Sequence, residues 1–187
     1  MTSLKTELFN QKTSILNNIP DAVLESLNLS QDQVAVNVGV GSGYFTLRMA
    51  EIVGAKGQVY AIDTKLNVLK YVEAKAKNKE LCNIHTILAE EDFFVLPEKV
   101  DLILMRNVCH HLKNRLEYFM DFNKMLRCDG IVAIIENEKD VGCNFPCVFG
   151  HYVPKKTLVK EMRETGFRLV KSFTFLPYQS FTIYKFA

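Results

Sequence analysis

Three glycines alternate with single residues in the segment VNVGVGSGYF, which covers residues 36–45. Gly39, Gly41 and Gly43 follow the short apolar run VAVNV, a pattern typical of a buried strand that leads into a turn. Backbone without side chains at the carboxyl end of a strand lets a ligand approach closely. The spacing therefore predicts a ligand-binding turn, although a tight strand–helix turn without a ligand has the same pattern.

An acidic residue lies at the end of the next predicted strand. Asp63 closes the run QVYAID, about twenty residues after the last of the three glycines. A carboxylate at this place can accept hydrogen bonds from both hydroxyls of a ribose. The same carboxylate could instead cap the helix that follows. Together with the glycines, Asp63 predicts a ligand that contains a nucleoside.

A nicotinamide dinucleotide does not fit this turn. Its fingerprint G-x-G-x-x-G requires a glycine at position 44 or 46, where the chain has Tyr44 and Thr46. A dinucleotide-dependent oxidoreductase is therefore disfavoured. A glycine turn followed by an aromatic residue suits a nucleoside that carries no phosphate.

The elements that must position these residues alternate along the chain. Short apolar runs predict strands, and stretches with apolar residues at helical spacing predict helices between them. This order predicts an α/β fold with a mostly parallel sheet. The runs FRLVKSFTFL and SFTIYKF, joined by PYQ, predict a C-terminal antiparallel hairpin.

The segment NVGVGSGYFTLRMAEIVGAKGQVYAID resembles the first two motifs of class I S-adenosylmethionine-dependent methyltransferases. The segments VDLILMRNVCHHL, MLRCDGIVAIIE and EMRETGFRLVKSFTFLPYQSFTIYKF resemble later strands of the branch that includes ubiquinone/menaquinone and arsenite methyltransferases. The resemblance implies a doubly wound, Rossmann-like sheet of seven mostly parallel strands, with S-adenosylmethionine as the cofactor. We expect a single methyltransferase domain over residues 1–187, with an N-terminal helical segment at 1–29 and the core at 30–187.

The resemblance also implies roles by position. The glycines would lie along the methionine part and the ribose, and Asp63 would bind the ribose hydroxyls. Thr64 or Lys65 would flank the adenosine, and one acid of the turn AEEDF would lie near the adenine amino group, the other acids being solvated. The residues expected to bind the cofactor are Asn37, Gly39, Gly41, Gly43, Tyr44, Asp63, Thr64, Glu91, Asp92, Arg106 and Asn107.

Asn37 departs from the family pattern, which usually has Asp or Glu at this position to hold the amino group of the cofactor. The amide keeps a carbonyl acceptor but loses the charge, and a charge-assisted hydrogen bond is the stronger kind. We expect cofactor binding to be weaker by ~1–2 kcal/mol. The same substitution motivates an alternative function, a catalytically weakened cofactor-binding module that acts as a sensor or partner subunit.

Methyl transfer from a sulfonium mainly requires that nucleophile, methyl group and leaving sulfur be aligned and that water be excluded. The sequence therefore need not contain a visible catalytic residue. The candidates for a proton acceptor are His110, His111 and Tyr44. The two histidines could instead cap or pack beneath the following helix, and Tyr44 could cover the cofactor.

A loop rich in Gly, Cys and Pro is predicted between residues 137 and 153. Cys143, Cys147 and His151 could bind zinc or a soft species such as trivalent arsenic. Their C-x3-C-x3-H spacing is not a standard zinc signature, and no metal site is predicted. The loop also contains aromatic residues, which suit a small, partly hydrophobic methyl acceptor: Phe145, Phe149 and Tyr152.

The bulk composition limits the classes of function. The 187 residues are 48% hydrophobic with a net charge of +2, so the chain is not largely disordered and no nucleic-acid partner is expected. Five cysteines suggest reduced thiols. The N-terminus has no signal-peptide pattern, and no apolar run reaches the roughly 18 residues of a membrane span. We expect a cytoplasmic protein whose partners are a small-molecule acceptor and a second copy in a homodimer.

Overall fold

The computed structural model describes residues 19–138 and 150–187. A short 3₁₀ helix at Cys109–His111 follows the fourth strand. The other elements in chain order are α1 (19–27), β1 (Val34–Val38), α2 (Tyr44–Val53), β2 (Gln58–Asp63), α3 (Leu66–Asn78), β3 (Ile84–Leu88), β4 (Val100–Arg106), α4 (Arg115–Met125), β5 (Leu126–Asn137), α5 (Lys155–Glu164), β6 (Phe167–Phe173) and β7 (Gln179–Phe186).

In the described part of the chain, seven strands form one sheet in the order β3-β2-β1-β4-β5-β7-β6. The pairs β1–β2, β1–β4, β2–β3 and β4–β5 are parallel, whereas β7 is antiparallel to both β5 and β6. The predicted doubly wound, Rossmann-like fold with a C-terminal antiparallel hairpin is therefore confirmed. Because strand order reverses between β1 and β4, the carboxyl ends of these two strands border a crevice.

Helices cover both faces of the sheet. Leu24 of α1 and Met49 of α2 are buried with Ala35 of β1 on one face. Phe122 of α4 and Met162 of α5 are buried on the other. Successive residues of a strand point to opposite faces, and β1 is buried along its whole length as expected for a central parallel strand.

The boundary between α4 and β5 differs from the sequence prediction. The pattern predicts a helix through Arg127 and a turn at CDG, but the helix ends at Met125 and β5 includes residues 128–130. Leu126 is buried and pairs with Val100, and the register of the β4–β5 ladder shifts just after this pair. Burial of Leu126 beside β4 favours extended backbone there over another helical turn.

Most of the predicted Gly-, Cys- and Pro-rich loop, with Cys143, Phe145, Cys147 and Phe149, lies outside the described residues. Within 19–138 and 150–187, none of the helices combines the length and apolar character that a bilayer crossing requires.

Candidate active site

A cavity of about 610 Å³ lies at the carboxyl ends of β1, β2 and β4, and we call it the strand-end cavity. Its size is in the range of small-molecule and cofactor sites. It is lined by Val38, Gly39, Gly41, Ile62, Asp63, Thr64, Lys65, Ala89, Glu90, Glu91, Arg106, Asn107, Val108, His111, Leu112, Lys113 and Tyr118.

The three glycines of the turn have different structural roles. A Cβ on Gly39 would overlap the side chain of Val108, and a Cβ on Gly43 would lie 2.8 Å from Val72 Cγ2. Gly41 has a φ of +52°, and a Cβ there would meet nothing within 4 Å. Gly39 and Gly43 thus permit close packing of the turn, whereas Gly41 leaves open space at the cavity wall.

Asp63 closes β2 and lines the cavity with Thr64 and Lys65. Its Oδ1 accepts a hydrogen bond from the backbone N–H of Lys65 at 3.0 Å, so the carboxylate does support the start of α3. Within the described residues Oδ2 has no protein partner. One carboxylate oxygen is therefore available to a ligand, and the capping and binding interpretations are compatible.

Arg106 is a partly buried cation at the end of β4. Its guanidinium donates to Gln179 Oε1 at 3.3 Å and lies 5.3 Å from the centre of the Phe45 ring. Burial lowers the pKa of Arg106, and no carboxylate of residues 19–138 or 150–187 pairs with it. Asn107, in the left-handed region with a φ of 55°, accepts from Gln179 Nε2 at 2.7 Å. Gln179 thus holds both side chains at the end of β4.

Of the acids that follow β3, Glu91 lines the cavity and Asp92 does not. Glu91 lines the cavity and forms an ion pair with Lys113, which lowers the pKa of Glu91. Asp92 accepts from the backbone N–H groups of Lys113 at 3.1 Å and Asn114 at 3.2 Å, and is not part of the lining. Of the two predicted acids, Glu91 is therefore the one that reaches the cavity.

Asn37 and Tyr44 lie beside the cavity, outside its lining. Asn37 is only 3% exposed, and its Nδ2 donates to Thr46 Oγ1 at 2.9 Å. The Tyr44 hydroxyl donates to Asp21 Oδ1 of α1 at 2.9 Å. Burial and the neighbouring carboxylate raise the pKa of Tyr44, which makes its hydroxyl a poor proton acceptor at neutral pH.

Histidines gather at one edge of the cavity. His111 lines it, and burial together with His110, His151 and Lys65 lowers the pKa of His111, which favours its neutral imidazole. His110 lies deeper, with Nδ1 2.9 Å from Oε1 of the fully buried Glu136. Glu136 is a site residue that was not predicted from the sequence. The signal that could have indicated it is an acid at the end of the apolar run IVAIIE.

The cavity brings together much of the predicted cofactor-binding set. The members in its lining are Gly39, Gly41, Asp63, Thr64, Glu91, Arg106 and Asn107, and those outside it are Asn37, Gly43, Tyr44 and Asp92. A second cavity of about 560 Å³, near the amino ends of β1, β4 and β5, contains none of them.

Curated relatives are similar to the chain at low identity. A demethylmenaquinone methyltransferase of Geobacillus stearothermophilus is 24% identical over 129 residues, which are 68% of this chain and 53% of that protein. An (S)-coclaurine N-methyltransferase of Thalictrum flavum subsp. glaucum is 21% identical over 110 residues, 59% of this chain and 30% of the relative. The chain spans about half the length of the first of these relatives.

Solved structures share the fold. A SAM-dependent methyltransferase from Aquifex aeolicus superposes with a TM-score of 0.82 at 24% identity, covering 90% of each chain. The fibrillarin of Aeropyrum pernix, solved with bound S-adenosyl-L-methionine, has a TM-score of 0.64 at 16% identity, covering 84% of this chain and 68% of that one.

A family model described as "Methyltransferase domain" matches residues 29–167, most of the chain. The match confirms the resemblance to the methyltransferases and supports an enzyme that uses S-adenosylmethionine. The glycine turn, Asp63 and the strand-end cavity all lie within the matched residues. The chain belongs to the methyltransferase domain family.

Proposed function

We propose that the protein transfers a methyl group from S-adenosylmethionine to a small-molecule acceptor. The observation that carries this proposal is the strand-end cavity, which is lined by open backbone at Gly41, by Asp63 and by Arg106. Within the described ranges, Asp63 Oδ2 has no protein partner and Arg106 pairs with no carboxylate. Asp63 and Arg106 suit the ribose and the methionine part of the cofactor, and Gly41 leaves room beside them.

The parts of the cofactor would be held separately. Asp63 Oδ2 would accept hydrogen bonds from the ribose, while Oδ1 stays on the Lys65 amide. Arg106 would pair with the carboxylate of the methionine part, since guanidinium and carboxylate make charge-assisted and often bidentate hydrogen bonds. Glu91 also lines the cavity and would lie near the adenine.

When bound, the cofactor supplies a methyl group already activated by its sulfonium sulfur. The contribution of the chain is to orient that group and to exclude water. Apolar side chains of Val108, Leu112 and Tyr118 line the same cavity and favour exclusion of water. If the acceptor must lose a proton, His111 is the catalytic candidate that reaches the lining, and its neutral imidazole can accept one.

A small acceptor is supported by the relatives, whose names refer to methylation of demethylmenaquinone and of (S)-coclaurine. The predicted aromatic residues Phe145 and Phe149 lie outside the described residues, so this part of the proposal depends on the relatives.

Binding and turnover test the proposal in two steps. Calorimetric titration with S-adenosylhomocysteine should give one site in the wild type and at least about tenfold weaker binding in Asp63→Asn. Asp129→Asn is the matched control, because this exposed acid lies on β5 beside the other cavity. Transfer of labelled methyl to one member of a small-molecule panel should follow. No binding in the wild type, or equal losses in both variants, would contradict the proposal.

A cofactor-binding module with weakened catalysis is the second proposal, and Asn37 favours it. Its amide donates to Thr46, so the position that relatives fill with an acid here lacks a charge. Tight cofactor binding without methyl transfer to any acceptor, in the wild type and in Asn37→Asp alike, would favour this sensor or partner role. Turnover restored by Asn37→Asp would instead support an enzyme with a weakened site.

A further inference from the structure

Three of the four histidines in the chain converge at one edge of the strand-end cavity. The ring centres of His110 and His111 are 4.1 Å apart, and that of His151 lies 5.1 Å and 5.6 Å from them. Each residue offers a ring nitrogen, and these atoms all lie within 4.8 Å of one another. His151 follows β5 in the chain, whereas His110 and His111 precede α4, so the tertiary structure brings the three residues together.

Glu136 orients the ring of His110. Its Oε1 lies 2.9 Å from His110 Nδ1, so this ring nitrogen is engaged by the carboxyl group. Nε2 is the nitrogen that remains for another partner. Metal-bound histidines typically use one ring nitrogen for the metal and donate the other N–H to a carboxylate, as this arrangement would.

The carboxyl group of Glu136 is incompletely hydrogen-bonded. Glu136 is fully buried, and its Oε1 accepts from His110 and from the backbone N–H of Asn137. Its Oε2 has no hydrogen-bond partner among the described residues. Burying a carboxylate without full compensation is costly, and a dication held just beyond His110 would offset that cost.

We infer that His110, His111 and His151 bind one divalent transition metal ion of the zinc class, with Glu136 as the residue that orients His110. Imidazole nitrogens suit zinc and its neighbours. A tetrahedral zinc ion holds its nitrogen ligands about 3.4 Å apart, given Zn–N distances of about 2.0–2.1 Å. The exposed rings of His111 and His151 have to turn inward by about an ångström to reach this geometry.

Three protein ligands leave a fourth position open, as in catalytic zinc sites. Because His111 also lines the strand-end cavity, the ion would lie at the edge of that cavity. An oxygen of the methyl acceptor could occupy the fourth position. This role for the ion rests on the proposed function, and in this state His111 binds metal instead of accepting a proton. Metal binding itself does not depend on the proposed function.

The test is a titration of the chelator-treated full chain with Co²⁺ and Zn²⁺ in the absence of cofactor. We expect one site, with the visible absorption of Co²⁺ bound by nitrogen in a four- or five-coordinate geometry. His111→Ala and His151→Ala should each weaken binding at least about tenfold, and Glu136→Gln about 10- to 100-fold. His85→Ala is the matched control, because His85 lies on β3 outside the cluster and should leave binding unchanged.

Two further measurements separate loss of the metal site from loss of the fold and from metal binding by cysteines. Thermal unfolding of each metal-free variant shows whether a loss of binding reflects a loss of fold, and His151→Ala, at an exposed position, should keep its unfolding temperature. The double variant Cys143→Ser/Cys147→Ser should bind as the wild type does. No metal binding in the wild type, unchanged binding in folded His151→Ala, or loss of the site in the cysteine variant would overturn the inference. Failure of S-adenosylhomocysteine to bind would affect only the proposed function.

Discussion

Replacing Arg106 by glutamine should weaken the binding of S-adenosylhomocysteine far more than the binding of 5′-methylthioadenosine. The two ligands share the adenosine and the sulfur, but methylthioadenosine lacks the amino-acid part with its carboxylate. Arg106 lines the strand-end cavity, and its hydrogen-bond partner, Gln179 Oε1, is neutral and 3.3 Å away. No carboxylate among the residues that the structure describes pairs with Arg106, and the carboxylate of the ligand would supply that negative charge.

The magnitude follows from the contacts. A hydrogen bond to a charged group contributes about 1.5–3 kcal/mol, and a guanidinium can make two such bonds to one carboxylate. Arg106 remains partly exposed, so solvent screens the pair and the second bond adds little. We expect a loss of about 2–3 kcal/mol, or about 30- to 150-fold in the dissociation constant.

The assay is calorimetry with both ligands on wild type, Arg106→Gln and Arg106→Lys at one salt concentration. Methylthioadenosine should bind all three proteins within about threefold, a difference of under 1 kcal/mol. Arg106→Lys keeps the charge and should recover part of the lost affinity for S-adenosylhomocysteine. Equal losses for the two ligands would mean that Arg106 only shapes the cavity. No loss for either would place the ligand carboxylate elsewhere, and both results would refute the reasoning.

Four further predictions concern cofactor affinity and stability. Asn37→Asp should tighten S-adenosylhomocysteine binding by ~1–2 kcal/mol, as calorimetry would measure. Because it buries a carboxylate, it should also lower the unfolding free energy of the ligand-free protein by ~1–3 kcal/mol, as urea unfolding would measure. Gly41→Ala should cost about 1–2 kcal/mol of stability, since φ there is +52°. It should also weaken cofactor binding at the cavity wall. Unchanged binding would show that the turn does not contact the cofactor. Phe122→Ala removes a fully buried ring and should cost about 3–5 kcal/mol in urea unfolding. Lys79 lowers the pKa of Glu51, so the stabilisation by Glu51 is present above its unfolded pKa near 4.3 and is lost as pH falls through the folded value. Glu51→Gln should therefore cost less than about 1 kcal/mol at pH 7 for this partly exposed pair, and the difference should disappear in acid unfolding curves.

Much of the fold could be predicted because it is encoded in local patterns. The apolar run of β1, the glycines after it and Asp63 at the end of β2 have spacings that depend only on strand and turn geometry. The boundary at Leu126 could not be predicted in this way. Its extended conformation depends on pairing with Val100 of β4, and helix α4 separates β4 from Leu126 in the chain.

The candidate site likewise has a part that the sequence predicts and a part that depends on the tertiary structure. The sequence by itself determined that a glycine-rich turn, an acid at the next strand end and a polar pair at the end of β4 would occur, because each is a short segment attached to one strand. Only the tertiary structure decided which side chains face the cavity: Glu91 reaches it, whereas Asn37 turns to Thr46. The convergence of His151 with His110 and Glu136 was likewise decided by the fold. Such contacts between residues distant in the chain depend on strand order, register and the path of loops, which local periodicity does not specify.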